Sequence, residues 1–158
     1  MTRRHGRALR GKRLVCKVPH GHWKTITFVA GLRVGGLTAP FVTDGPMDGE
    51  LFIVYVRDVL APTLKAGDIV IMDNLSSHKV EGVRELIEAR GAKLVYLPPY
   101  SPDFNPIEQA FSKLKAWLRK AAERTVDGLC DAIGRICGLY LPDECSNYFV
   151  NAGYGCSK

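Results

Sequence analysis

The exclusions come first. No apolar run in these 158 residues reaches the roughly 18 needed to cross a bilayer, and no signal-peptide-like stretch precedes Leu14. Membrane and secretory classes are therefore not expected. The five cysteines (Cys16, Cys130, Cys137, Cys145, Cys156) are odd in number and contain no C-x-x-C pair, which argues against a disulfide framework or a zinc knuckle and favours a reducing cytoplasm. Repeats, low-complexity tracts and linkers are also missing, and 46% hydrophobic with 24% charged residues supports one domain with a real core. Acids are missing from the first 43 residues, which carry nine Lys and Arg, whereas the rest of the chain holds thirteen bases against sixteen acids. Such asymmetry fits a polyanionic partner, because bases gain affinity by releasing counterions from phosphates. Arg3, Arg4, Arg7, Arg10, Lys12 and Arg13 form a basic arm over residues 1–13, read as DNA-binding, with a solvated tail as the alternative.

After the arm, Leu14–Val18, Trp23–Gly31 and Leu37–Thr43 read as strands, rich in β-branched and aromatic residues and separated by Gly and Pro turns. The period then changes. Phe52, Tyr55, Val56, Val59 and Leu60 share one helical face, with Asp48 as N-cap and Pro62 past the end. Asp68–Asp73 has the pattern of a strand buried on both faces. Ser77 is expected to cap a helix with Val80, Val83 and Ile87 inward and Gly91 as its stop, before a strand over Lys93–Leu97. Four prolines make Pro98–Pro106 a stiff loop, held by Tyr100, Asp103 and Phe104. Helical spacing returns from Asn105, again over Val126–Tyr140, and briefly after Pro142. Three strands followed by alternating helices and strands indicate an α/β domain, and the order fits a ribonuclease H-like mixed sheet flanked by helices.

Asp73 ends a strand, and open α/β sheets bind ligands beyond the carboxyl ends of their strands. The bland reading has Asp73 and Asn74 merely opening a turn. Glu108 follows Asn105 as N-cap and Pro106 at the first helical position. It is equally placed to be the acidic half of a capping box, satisfying the backbone N–H of Asn105. The pairing favours function: acids at a strand end and on the first turn of a later helix can converge on a hard cation such as Mg²⁺, which keeps several waters and binds phosphates.

The strings Asp-Asn-Leu-Ser-Ser-His-Lys (Asp73–Lys79) and Leu-Pro-Pro-Tyr-Ser-Pro-Asp-Phe-Asn-Pro-Ile-Glu (Leu97–Glu108), with 34 residues between Asp73 and Glu108, resemble the DDE transposases of the Tc/mariner superfamily. The bacterial insertion-sequence group often called IS six-thirty is the most similar branch, and the resemblance covers roughly His5 to Tyr154. It implies a ribonuclease H-like catalytic domain that cuts and joins double-stranded DNA at transposon ends and target, using Mg²⁺ or Mn²⁺. Asp73 would match the second catalytic, metal-binding carboxylate and Glu108 the third. In the family's scheme two ions about 3.5–4 Å apart stabilise the attacking and leaving oxygens.

The chain also departs from the family. The first catalytic aspartate lies on an opening strand upstream of the Arg/Gly-rich segment, whereas no acid here precedes Asp44. Asp44 and Asp48 flank Gly45-Pro46-Met47 and match no catalytic position. The family's helix-turn-helix domains have no counterpart. The expectation is an N-terminally truncated piece, with residues 14–158 forming the C-terminal part of the catalytic domain without its first strand. Such a piece would be inactive alone, acting as a homodimer or with a complementing N-terminal fragment in the bacterial cytoplasm, nucleoid-associated when bound to DNA. The alternative is a non-catalytic DNA-binding or subunit-interaction remnant. Asn74 and His78, inside the first string, are accessory candidates. Lys113, Lys115, Arg119 and Lys120 make a basic helix face suited to the DNA backbone.

Overall fold

The computed structural model describes residues 7–13, 15 and 25–155. Arg3, Arg4 and, apart from Val15, the strand expected over Leu14–Val18 lie outside the described residues. Within the arm, Arg7, Arg10, Lys12 and Arg13 are exposed.

Ile26–Arg33 (β1) and Gly36–Asp44 (β2) form an antiparallel hairpin. Val29 pairs with Phe41 but Gly31 with Thr38, so Ala39 and Pro40 together oppose Ala30. Pro40 has no N–H to give the ladder, and the extra residue is absorbed as a bulge with Ala39 at φ +50°. The Ala39 carbonyl accepts instead from the buried Tyr55 hydroxyl at 3.1 Å. Burial pushes the Tyr55 phenol upward, which keeps it a donor.

Tyr55 belongs to Gly49–Tyr55 (α1), where Asp48 caps as expected by accepting the Leu51 N–H at 2.8 Å. The helix widens into a π turn over Val56–Leu60 and tightens over Ala61–Thr63. Its expected inner face is real: Phe52, Tyr55, Val56 and Leu60 are buried. Ile69–Met72 (β3) and Lys93–Tyr96 (β4) are parallel, joined through Val83–Glu88 (α2). Ser77 does not cap this helix. Ser76–Lys79 is a separate 3-10 turn, and α2 starts later, behind Gly82, with Val83 and Ile87 fully buried. Gly91 supplies the stop at φ +73°, a conformation costly for residues with a Cβ.

Ile107–Ala121 (α3), Val126–Cys137 (α4) and Pro142–Phe149 (α5) complete the chain, followed by a π turn over Val150–Tyr154. The expected extension of α4 to Tyr140 does not form; Leu139 donates its N–H to the Ile136 carbonyl in a closing turn. The β1–β2 hairpin lies between two apolar clusters. Val29, Phe41 and Ala39 join α1, α2, β3 and β4 on one side, while Phe28, Leu32, Leu37 and Val42 join α3, α4 and α5 on the other. Three layers result.

One expectation about β3 fails. Ile69 is 64% exposed and its three successors are only half-buried, so the strand is not covered on both faces. Among the described residues β1 pairs only with β2 and β3 only with β4, two separate ladders instead of a continuous sheet. The ladders are tied at one end by Arg33, closing β1, and Asp68, preceding β3.

Candidate active site

Asp73 directly follows β3, and its side chain is 40% exposed. Its Oδ1 receives a long contact from the Leu75 N–H at 3.4 Å and lies 2.6 Å from His78 Nδ1. The imidazole approach is close but off the axis of an N–H bond, and the buried Nδ1 has no hydrogen-bond partner among the described residues. Oδ2 accepts no hydrogen bond from any described residue. His78 stacks on Phe52, ring centroids 4.3 Å apart and planes at 28°, and its carbonyl accepts the Tyr96 hydroxyl at 2.7 Å. Burial pushes the Tyr96 phenol upward despite the opposing pull of Arg84, so it remains a donor. Lys79 and Arg84 each lie 5.7 Å from the Tyr96 ring centre and bring positive charge beside this strand end. Sequence reasoning named His78 only as accessory; its presence in the Asp73 string was the available signal. Asn74 is half-buried and makes no hydrogen bond with a described residue.

Glu108 is exposed on the first turn of α3. The capping-box reading fails. The Asn105 N–H donates to the Pro102 carbonyl at 2.9 Å, leaving nothing there for Glu108 to satisfy. Asn105 itself has an extended backbone at the helix entrance, but its side chain makes no capping bond. The 3-10 turn Pro102–Phe104, built from the proline-rich loop, does the work the side chains were expected to do. Glu108 makes no hydrogen bond or ion pair with a described residue.

The loop is not held by the Tyr100 side chain, which is turned fully outward by a backbone φ of +56°. Phe104 is also exposed, and it is its carbonyl that is held, by the Tyr154 hydroxyl at 2.9 Å. Asn151 reaches Gln109 at 3.2 Å, so the final turn grips both loop and helix start.

Of the α3 bases, Lys113 is engaged inside the fold. Its ammonium donates to Glu144 and to the Leu139 carbonyl and lies 4.6 Å from the Tyr140 ring centre. Burial alone would raise the Glu144 carboxyl, but hydrogen bonds from Lys113 and Tyr148 outweigh it and hold the group below its ordinary value. Lys115, Arg119 and Lys120 are exposed, the last 5.7 Å from the ring centre of the half-exposed Trp117.

Asp73 Oδ2 and the Glu108 carboxylate, unengaged by any described residue, are hard oxygen donors of the kind Mg²⁺ and Mn²⁺ accept. No group of three or more His, Cys, Asp or Glu residues able to hold a metal occurs among the described residues. Each carboxylate by itself has the chemistry of a ligand for such a cation.

The family model described as DDE superfamily endonuclease matches residues 1–130. Solved structures share the fold: the Mos1 mariner paired end complex with Mn has a TM-score of 0.52 at 15% identity, over 99% of this chain and 53% of that one. The Mos1 strand transfer complex has a TM-score of 0.51 at 15% identity, over 96% of this chain and 51% of that one. The chain therefore spans about half the length of these structural relatives. No match is found among curated proteins. The fold is ribonuclease H-like, and with the family match extending through both motif strings, the chain belongs to the DDE superfamily endonucleases.

Proposed function

We propose that this chain is part of a Tc/mariner-type transposase, of the bacterial IS six-thirty group, which cleaves double-stranded DNA and transfers the freed strand. The observation that carries the reading is Glu108: its helix is closed without it, so an exposed acid stands on a helix start with no structural task among the described residues. Asp73 and Glu108 are the metal-holding carboxylates. They would hold Mg²⁺ or Mn²⁺, whose charge would offset that of the two acids and of a DNA phosphate. Such an ion, when bound, would supply Lewis-acid stabilisation of charge on the phosphoryl oxygens. Lys115, Arg119 and Lys120, with Arg3, Arg4, Arg7, Arg10, Lys12 and Arg13 of the arm, contact phosphates and position the duplex without reading its sequence.

A single two-carboxylate pair holds a second ion poorly, so a third acid must come from outside the described residues, through a complementing segment. A non-catalytic DNA-binding or subunit-interaction role is the second reading, favoured by the lack of a three-ligand cluster among the described residues. Mn²⁺-dependent nicking of duplex DNA separates the two. The chain alone should show little or no cleavage, and extra metal should not rescue it. An added upstream segment ending in Asp should restore cleavage, and Asp73→Asn or Glu108→Gln should abolish it again. Cleavage surviving both substitutions would remove these residues from the chemistry. Failure of any segment to restore activity, with salt-sensitive DNA binding retained, would favour the second reading.

A further inference from the structure

We infer that His78 is a positioning residue for Asp73: its imidazole engages one carboxylate oxygen and so presents the other outward as a single-oxygen ligand for a divalent cation. The inference rests on the reading of Asp73 as a metal ligand and adds the means by which its orientation is set.

Asp73 has little else to orient it. It follows the last residue of a four-residue strand, its side chain is 40% exposed, and the Leu75 N–H at 3.4 Å is too distant to be a strong hydrogen bond. His78, by contrast, is fixed from two directions. Its ring lies on Phe52 of α1, itself only 2% exposed, and its carbonyl is held by Tyr96 at the end of β4. The turn carrying it is seated closely on α1: a Cβ at Gly49 would stand 2.5 Å from Val80 Cγ2. The held ring places Nδ1 2.6 Å from Asp73 Oδ1, buried and without a formed hydrogen bond to any described residue. A buried N–H left unpaired is costly, and Asp73 Oδ1 at 2.6 Å is the acceptor that a small turn of the ring would bring into line. Among the described residues both contacts to Asp73 fall on Oδ1, and none reaches Oδ2. That division suits Mg²⁺ or Mn²⁺, which bind through one or two carboxylates while retaining waters. Hydrogen bonding from behind a carboxylate ligand is also how metal sites fix ligand orientation.

Were His78 only a packing residue, a phenyl ring on Phe52 would serve as well. His78→Phe keeps the stack and removes the donor, whereas His78→Asn puts an amide N–H near the place of Nδ1. Mn²⁺ affinity, read from the free-ion electron paramagnetic resonance signal of the full chain, should fall about tenfold or more in His78→Phe and stay within about threefold of the original in His78→Asn. Unfolding temperatures measured alongside show whether His78→Phe remains folded. Independently of metal, ¹⁵N NMR of the neutral imidazole in the unsubstituted chain should place the proton on Nδ1, and Asp73→Ala should move it towards Nε2. A proton on Nε2 in the unsubstituted chain, or unchanged Mn²⁺ affinity in a folded His78→Phe, overturns the inference. Mn²⁺ binding that ignores both Asp73→Ala and Glu108→Gln instead removes the metal reading, and with it the ligand half of this inference, while the imidazole proton still decides the contact.

Discussion

Replacing Asp68 with Asn should weaken the fold by about 1 kcal/mol at neutral pH and by almost nothing near pH 2. Arg33 donates Nη1 to Oδ1 at 3.2 Å and Nη2 to Oδ2, and a further Nη2 bond reaches the Thr63 carbonyl at 3.2 Å. The Lys65 N–H adds a 2.8 Å bond to Oδ2. The Arg33 hydrogen bonds first, and the Lys65 N–H second, hold the Asp68 carboxyl at about 2, well under the ordinary value of 3.8. A depressed carboxyl favours the folded state while it is ionised. Its contribution is therefore complete above about pH 4 and disappears as pH falls through about 2. At about 1.4 kcal/mol per pH unit the shift alone would be worth roughly 2.5 kcal/mol. The Arg33 side chain is 38% exposed and that of Asp68 22%, so solvent screening reduces this to about 1 kcal/mol. The pair ties the two ladders at the end of β3 opposite Asp73, so its loss loosens the strand that carries the candidate acid. Urea unfolding of both proteins at pH 7, 4 and 2 reads the effect. A stability gap as large at pH 2 as at pH 7 would refute the electrostatic account.

Gly49→Ala should destabilise by about 1–3 kcal/mol, because the new methyl would meet the stiff Val80 side chain at 2.5 Å; an unchanged denaturation midpoint would show that the turn yields freely. Tyr140→Phe removes a buried hydroxyl that donates to the Ala110 carbonyl at 2.7 Å and should cost about 1 kcal/mol, measurable by thermal unfolding. Burial pushes that phenol up to about 12, so the loss should be the same from pH 6 to pH 9. Duplex binding should be weak and insensitive to sequence, and replacing Arg3, Arg4, Arg7 and Arg10 by Gln should flatten its salt dependence by roughly 0.9 for each phosphate no longer neutralised. An unchanged slope would make the arm a bystander.

The local features are legible in the residues alone. Helical spacing from Phe52 to Leu60, the Asp48 cap, the Gly91 stop and the proline-rich loop depend on residues a few positions apart, where backbone sterics and side-chain period set the outcome. The identity and spacing of Asp73 and Glu108 were equally readable, as was their chemistry as hard oxygen donors. Which neighbours those acids meet is decided only in the folded chain, by loop geometry for Glu108 and by long-range packing for Asp73. Glu108 is released from capping because the loop folds Pro102 under Asn105, a local competition between two acceptors that composition does not rank. His78 reaches Asp73 because α1 and β4 hold it from positions distant in the chain. Lys113, one base among four on its helix by sequence, is drawn inward by Glu144 thirty-one residues later, while Lys115, Arg119 and Lys120 remain outside. Periodicity assigns a side chain to a face; which partner waits on that face depends on how remote segments pack, and that information lies in no short stretch of the sequence.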